Sequence, residues 1–404
     1  MIIIMLFVIG SPTILQLTGS NILATAAVPV LLFLLIMYYL SSSKLTVNAV
    51  GGILLILFVI LMLLASSANN NSSWLIDSKV LLIYYISSVF MIMLSFLSGI
   101  GSISTKDDML NLFVHFALLE AILGIIQFIL KNPILPVIID GKQVVSSIYY
   151  IPGSGGTGDM SRLMGSYFIR ASGSMGSGLG LGLLLLSALA VSESHKKNKY
   201  TWVIRIILSS AIILTLTGVV YIGFLTFLIL QYIILKKSPK TMLHIYDVIW
   251  GVGVTVQILI NYLPQNIIDG FPTVASRITG IQYYLSALNF NVRNIIFGQN
   301  FTNTWANYSN AVTNVNQRYV VDNYYMYTFF NIGIAGLLIL YIAYRLVIIK
   351  QLKDGGTTQI IPLQLSVMII GFGNNVTSAM SITAIIALFL ITNSKLQNIE
   401  RENN

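Results

Sequence analysis

The residues of this chain that could do chemistry gather in one polar interval, Pro264 to Asn323, the longest between its hydrophobic segments. It holds Arg277, Arg293 and Arg318, an aromatic and asparagine cluster from Asn300 to Asn316, and Asp322 followed by Asn323 where the next apolar run begins. A carboxylate at the mouth of an apolar segment is costly unless it is solvated, paired or functional. Two readings stay open for Asp322: a salt bridge to Arg318 or Arg293, or a part in a reaction. Tyr319, Tyr324, Tyr325 and Tyr327 fit an interfacial aromatic belt, and equally the flat surfaces on which sugar rings stack. A polar loop of this length in a compact domain usually carries function.

The elements that must position this loop are apolar. Hydrophobic residues make up 56% and charged residues 9% of the 404 positions, and mean hydropathy is +0.84. A soluble globule carries about 25% charged residues, so the composition predicts an all-α integral membrane protein. One polytopic membrane domain over 1–404 is expected, with 264–323 as its long external loop. Windows of about 17–25 apolar residues place spans near 2–17, 22–40, 47–65, 80–97, 109–130, 167–191, 201–216, 219–235, 245–263, 324–349, 359–372 and 376–391. That gives about 12 transmembrane helices, the first read as a span and not a cleaved signal, because it lacks a basic leader and a small-residue cleavage site.

No cysteine is present, which removes disulfides, thiolate catalysis and cysteine-held metals. His115, His195 and His244 have no ligand spacing, so no metal site is expected. The net charge of +9 sits in short lysine clusters between apolar runs, as membrane topology requires and nucleic-acid binding does not. Counting lysine and arginine by loop puts both termini in the cytoplasm and both long polar loops, 131–162 and 264–323, outside. Three of the 14 lysines (Lys79, Lys131, Lys142) fall on the outer side, against five of the eight arginines: Arg162, Arg170, Arg277, Arg293 and Arg318. Arginine grips phosphate with a planar fork, whereas lysine serves as a general topogenic charge. An outer face rich in arginine points to an anionic ligand; contact with lipid phosphates, or pairing with Asp140, Asp159, Asp269 and Asp322, is the plainer alternative.

Three further patterns bear on the scaffold. Gly153 to Gly158 matches G-x-G-x-x-G but lacks the strand-turn-helix context of a dinucleotide site, and reads as a loop. Gly173, Gly176, Gly178, Gly180 and Gly182 open a span, where small residues allow close helix approach; a substrate groove is the other reading. From Pro272 to Phe290, Ile278, Ile281, Leu285 and Leu288 recur at helical spacing, predicting an amphipathic surface helix with Arg277 near its start. A plain interfacial helix with a snorkelling arginine fits the same pattern.

Taken together, several stretches resemble those of the O-antigen polymerase and ligase superfamily, especially its Gram-positive capsular and exopolysaccharide polymerases. These are Arg170 to Gly176 at the top of a middle span, the tight connection Thr215-Leu-Thr217-Gly218-Val219, Arg277, Gly298-Gln-Asn300, and Asp322-Asn323 followed by Gly333-Ile-Ala-Gly336. The resemblance covers about Arg162 to Leu340 with degenerate motifs. It departs from the family twice: the arginine of the Thr/Ser-rich connection is missing, and Asp322 stands where ligases have histidine.

The resemblance implies a GT-C-like membrane glycosyltransferase in a bacterial cytoplasmic membrane. Its substrates would be polyprenyl-diphosphate-linked oligosaccharides, with membrane lipid and other polysaccharide export proteins as neighbours. On this reading Arg170, Arg277 and Arg293 hold the leaving diphosphate, Asp322 is the general base, and Asn323, Tyr324 and Arg318 contact the acceptor sugar. Guanidinium charge then makes a divalent metal or other cofactor unnecessary. A lipid-linked oligosaccharide flippase and a ligase remain as alternatives. A transporter would place ionisable residues near the bilayer midplane, where this chain offers only His115 and Glu120.

Overall fold

A computed structural model of the chain describes residues 103–132, 134–135, 137–139, 142–144, 160–163, 166–175, 177–194, 200–234, 239–260, 264, 278, 281–282, 285, 292–298, 323–353, 360–374 and 376. The expected spans before 103 and after 376 lie outside these residues.

Long apolar runs without interior proline become helices: α1 (Ile103–Leu130), α2 (Gly178–Ser194), α3 (Thr201–Leu214) and α4 (Gly218–Ile229), which runs on into a π-helical turn, Leu230–Ile234. They continue with α5 (Pro239–Ile260), the short α6 (Val292–Phe297), α7 (Tyr324–Lys353) and α8 (Ile360–Ile370). Between α1 and α2 the chain forms two antiparallel hairpins. One pairs β1 (Val137–Ile139) with β2 (Lys142–Val144), and the other pairs β3 (Met160–Leu163) with β4 (Ser166–Ile169).

Helices α1, α2 and α3 pack on one another; α4 lies against α8, and α5 bridges α7 and α8. Small residues mark the close approaches, with Gly182 of α2 facing Val220 of α4 and Gly223 of α4 facing Ile370 of α8. The main core is a large apolar cluster, in which Leu181, Leu185, Ile212, Val220, Leu363 and Met368 are fully enclosed, and a small second cluster gathers Ile281, Met326 and Phe330.

The outward faces are also apolar. Ile334, Leu338, Ile342 and Leu346 recur every four residues on α7, and Ile222, Leu225 and Ile229 form a similar stripe on α4. Contiguous exposed apolar stripes mark surfaces that are not meant for water. Two helical stretches, Leu110–Leu130 and Tyr324–Leu346, are long and apolar enough to cross a membrane. The described part is thus predominantly helical, as a helical membrane protein requires.

Two expected spans are not continuous helices. The run placed at 167–191 starts as strand β4, passes through an irregular stretch, and becomes helical only at Gly178. The run at 324–349 is broken at Gly333, whose backbone (φ 66, ψ −171) lies in a region essentially reserved for glycine. Apolar content does not register the break at Gly333, and at 170–177 the polar residues Arg170, Ser172, Ser174 and Ser177 are outweighed by the leucine-rich run that follows.

Candidate functional site

How can an irregular stretch sit inside an apolar bundle? Every buried backbone N–H there needs a partner, and from Ala171 to Met175 each has one. Ala171 N–H donates to the Leu214 carbonyl (3.0 Å), and Met175 N–H to the Ser172 carbonyl (3.0 Å). The other three turn towards α1. Gln127 Oε1 accepts from Ser172 N (3.2 Å) and Gly173 N (2.8 Å), while Gln127 Nε2 donates to the Gly173 carbonyl (2.8 Å). Glu120 Oε2 accepts from Ser174 N (2.7 Å), and its other oxygen accepts from the Ser174 hydroxyl.

Glu120, Gly124 and Gln127 therefore form one stripe on α1, spaced four and three residues apart, that faces this stretch. The stretch can follow the stripe closely because Gly173 has a left-handed backbone (φ 57), and a Cβ there would lie 2.3 Å from Glu120 Oε2. Glu120 and Gln127 are both buried.

Arg170 opens this stretch and is half-buried. The start of α2 and Arg170 face the connection between α3 and α4 and the first turn of α4. Gly178 abuts the Thr215 carbonyl and the Thr217 hydroxyl, and Arg170 lies within electrostatic range of the Tyr221 hydroxyl. The turn itself has a left-handed Leu216 (φ 49). Its two threonine hydroxyls donate to nearby carbonyls, Thr215 to Ile212 O (2.8 Å) and Thr217 to Thr215 O (3.0 Å). Two of the stretches singled out in sequence, Arg170 to Gly176 and Thr215 to Val219, thus lie side by side, joined through their flanks at Ala171–Leu214 and at Gly178 with Thr215 and Thr217.

Asn323 and Tyr324 belong to the same end of the bundle. Asn323 caps α7: its Oδ1 accepts from Met326 N (2.9 Å), and its Nδ2 donates to the Phe372 carbonyl (2.7 Å). Tyr324 N–H donates to the Gly371 carbonyl (2.8 Å). Both side chains are buried, and the Tyr324 ring meets Tyr325 edge-on. As they stand they hold the entry of α7. The α4–α8 contact at Gly223 and Ile370 places the Thr215–Thr217 turn and the Asn323 cap at one common end.

Arg293 is exposed on α6, which packs against α7 at its break. Here Gly298 (φ 80) and Gly333 meet backbone to backbone, and a Cβ at Gly333 would lie 2.2 Å from the Ile296 carbonyl oxygen. Within the expected surface helix, Ile278, Ile281, Gln282 and Leu285 are helical. Ile278 and Ile281 are buried, as the spacing predicts, Gln282 is exposed, and Ile281 packs on Met326 and Phe330 of α7. Arg277, Arg318, Asp322 and the glycines from 153 to 158 lie outside the described residues.

The opposite end of the bundle is held by ion pairs. Arg205 of α3 bonds Glu193 of α2 (3.0 Å), and Arg345 of α7 bonds Asp247 of α5 (3.0 Å).

Sequence reading assigned no role at the site to Glu120 and Gln127. The signal was present: two polar side chains seven residues apart on one face of an otherwise apolar run. Its meaning depended on a stretch some fifty residues away. No family model, curated protein or solved structure matches this chain.

Proposed function

We propose that the protein is a polysaccharide polymerase, a metal-independent glycosyltransferase of a bacterial cytoplasmic membrane with about twelve spans and both termini in the cytoplasm. At the outer face it moves a growing glycan from its polyprenyl diphosphate to a hydroxyl of the next lipid-linked repeat unit. One observation carries the reading. A non-helical, arginine-bearing stretch and the entry of α7, next in sequence to Asp322, share one end of an apolar helical bundle. Arg170, with Arg277 and Arg293, stabilises the charge that develops on the leaving diphosphate. Asp322 takes the proton from the acceptor hydroxyl.

A second reading, a transporter of the same lipid-linked oligosaccharide, is favoured by the buried Glu120 beside a break in the helical run. Discontinuous helices next to buried ionisable groups are how secondary transporters build their sites. The two are separated by reconstituting the purified protein in liposomes with polyprenyl-diphosphate-linked repeat units. A polymerase lengthens the glycan and releases polyprenyl diphosphate, and Arg170→Ala abolishes this more than Arg162→Ala. Repeat units that cross the bilayer unlengthened would establish the transporter instead.

A further inference from the structure

A turn with successive inward N–H groups and a left-handed glycine is the usual form of a backbone anion cradle. The Ser172–Ser174 turn has that form, and it is already filled. Gln127 Oε1 receives two of the three N–H groups, and the Glu120 carboxylate receives the third together with the Ser174 hydroxyl. Glu120 is 6% exposed and Gln127 1%. The acceptors in the cradle, the Gln127 amide oxygen and the Glu120 carboxylate, are therefore the protein's own, both supplied by α1. Arg170, two residues before the cradle, is the one cationic side chain of this stretch, and on the polymerase reading it is the group that meets the diphosphate.

We propose that Glu120 is a positioning residue. Its carboxylate acts as a tethered anion that locks the Ser172–Ser174 turn onto α1 and so fixes Arg170 at the mouth of the bundle. The consequence for turnover rests on the polymerase reading; the lock itself does not. Three features support it. Both carboxylate oxygens are used on one residue, Ser174, which fixes the turn in rotation as well as in distance. Gly173 lies so near the same carboxylate that a Cβ would come within 2.3 Å of it, so the turn cannot slide towards Glu120. Gln127, two helical turns along the same stripe, holds the other end of the turn, which leaves Arg170 little freedom relative to α1.

A lock and a proton carrier differ in what they require of position 120. Glutamine keeps the shape: its carbonyl oxygen accepts from Ser174 N–H, and its amide donates to the Ser174 hydroxyl. It cannot carry a proton. The test uses full-length protein in lipid nanodiscs, with hydrogen exchange of the 166–177 segment measured by mass spectrometry, and elongation of lipid-linked repeat units measured on the same preparations.

Glu120→Ala is expected to raise exchange at 172–175 about tenfold or more, since a buried N–H has lost its acceptor. It should also lower elongation about 10²-fold, as misplacing a substrate-positioning group by about 1 Å does. Glu120→Gln should keep wild-type exchange and stay within about tenfold of wild-type elongation, because a neutral bond replaces a charge-assisted one. Ser174→Ala, which removes one of the two contacts, should fall between them. If Glu120→Ala does not fold, Glu120→Gln and Ser174→Ala still decide the matter. Unchanged exchange in Glu120→Ala and Ser174→Ala overturns the lock. So does a Glu120→Gln variant with wild-type exchange and no elongation, which would make the carboxylate a proton carrier. If the wild type itself does not elongate, the polymerase reading fails, while the exchange results still judge the lock.

Discussion

Replacing Gly333 by alanine tests the break in α7. The native backbone there (φ 66, ψ −171) is one that L-residues occupy only at a cost of about 1–3 kcal/mol. The added Cβ would lie 2.2 Å from the Ile296 carbonyl oxygen, 2.4 Å from its carbon and 2.6 Å from Gly298 N. These are backbone atoms of α6 and its C-terminal turn, so no side chain can rotate away, and overpacking of this kind adds about 1–3 kcal/mol. The expected loss is about 2–6 kcal/mol, concentrated where α6 meets α7. Gly251 of α5 provides the control. Nothing lies within 4 Å of a Cβ there, and glycine to alanine in a helix interior should stabilise by about 0.5–1 kcal/mol. The assay is thermal unfolding of each purified variant in the same detergent, read by the fraction that stays monodisperse. Gly333→Ala should melt well below wild type and Gly251→Ala at or above it. If Gly333→Ala melts with or above Gly251→Ala, the break at Gly333 and its contact with α6 are wrong.

Three other outcomes are expected. Asp322→Asn should keep the fold but lose about 10²–10⁴ in elongation, the range of general acid-base catalysis; near wild-type turnover would make Asp322 structural. In this cysteine-free chain, an impermeant thiol reagent on whole cells should label a cysteine at 299 and spare one at 196, and the reverse pattern would invert the proposed topology. The bidentate pair Arg345–Asp247 is about one-third exposed on each side, so a double-mutant cycle should give a coupling of at most about 1 kcal/mol, and a value several times larger would mean a drier environment than the structure shows.

Much of the scaffold was legible because apolar length and helix coincide where nothing interrupts them. The span expected at 109–130 is the apolar part of α1, and the one at 359–372 is α8 with its C-terminal turn. Of the four apolar positions read at helical spacing in 272–290, Ile278 and Ile281 are buried and Leu285 is partly buried, while Leu288 lies outside the described residues. Hydropathy failed at 167–177 because the apolar run 178–191 carried the window over a stretch that itself holds Arg170, three serines and two glycines. The difference from a helix lies in where its N–H groups go, and those go to Glu120 and Gln127 in another run. Glycine content flagged 173–182 as a place of close approach, which holds at Gly182 and Gly178. Gly173 does something composition cannot show, since its role depends on a positive φ. The hairpins between α1 and α2 escaped because their strands are only three or four residues long, too short for alternation to stand out.

The cap of α7 also sets an order of assembly. The Tyr324 N–H and the Asn323 amide are satisfied by the carbonyls of Gly371 and Phe372, which leave the ribosome nearly fifty residues after the groups they complete. A nascent chain that has reached Lys353 holds all of α7 and all of the polar interval before it, yet the entry to that helix still lacks two of its partners. Only when α8 has been made and has returned to the same end can the mouth close. Synthesis therefore finishes the entry of α7 after the arginine-bearing stretch between α1 and α2, whose partners Glu120, Gln127 and Leu214 all precede position 215. A chain truncated between Lys353 and Ile360 would carry the first half of the site in finished form and the second half without its clasp.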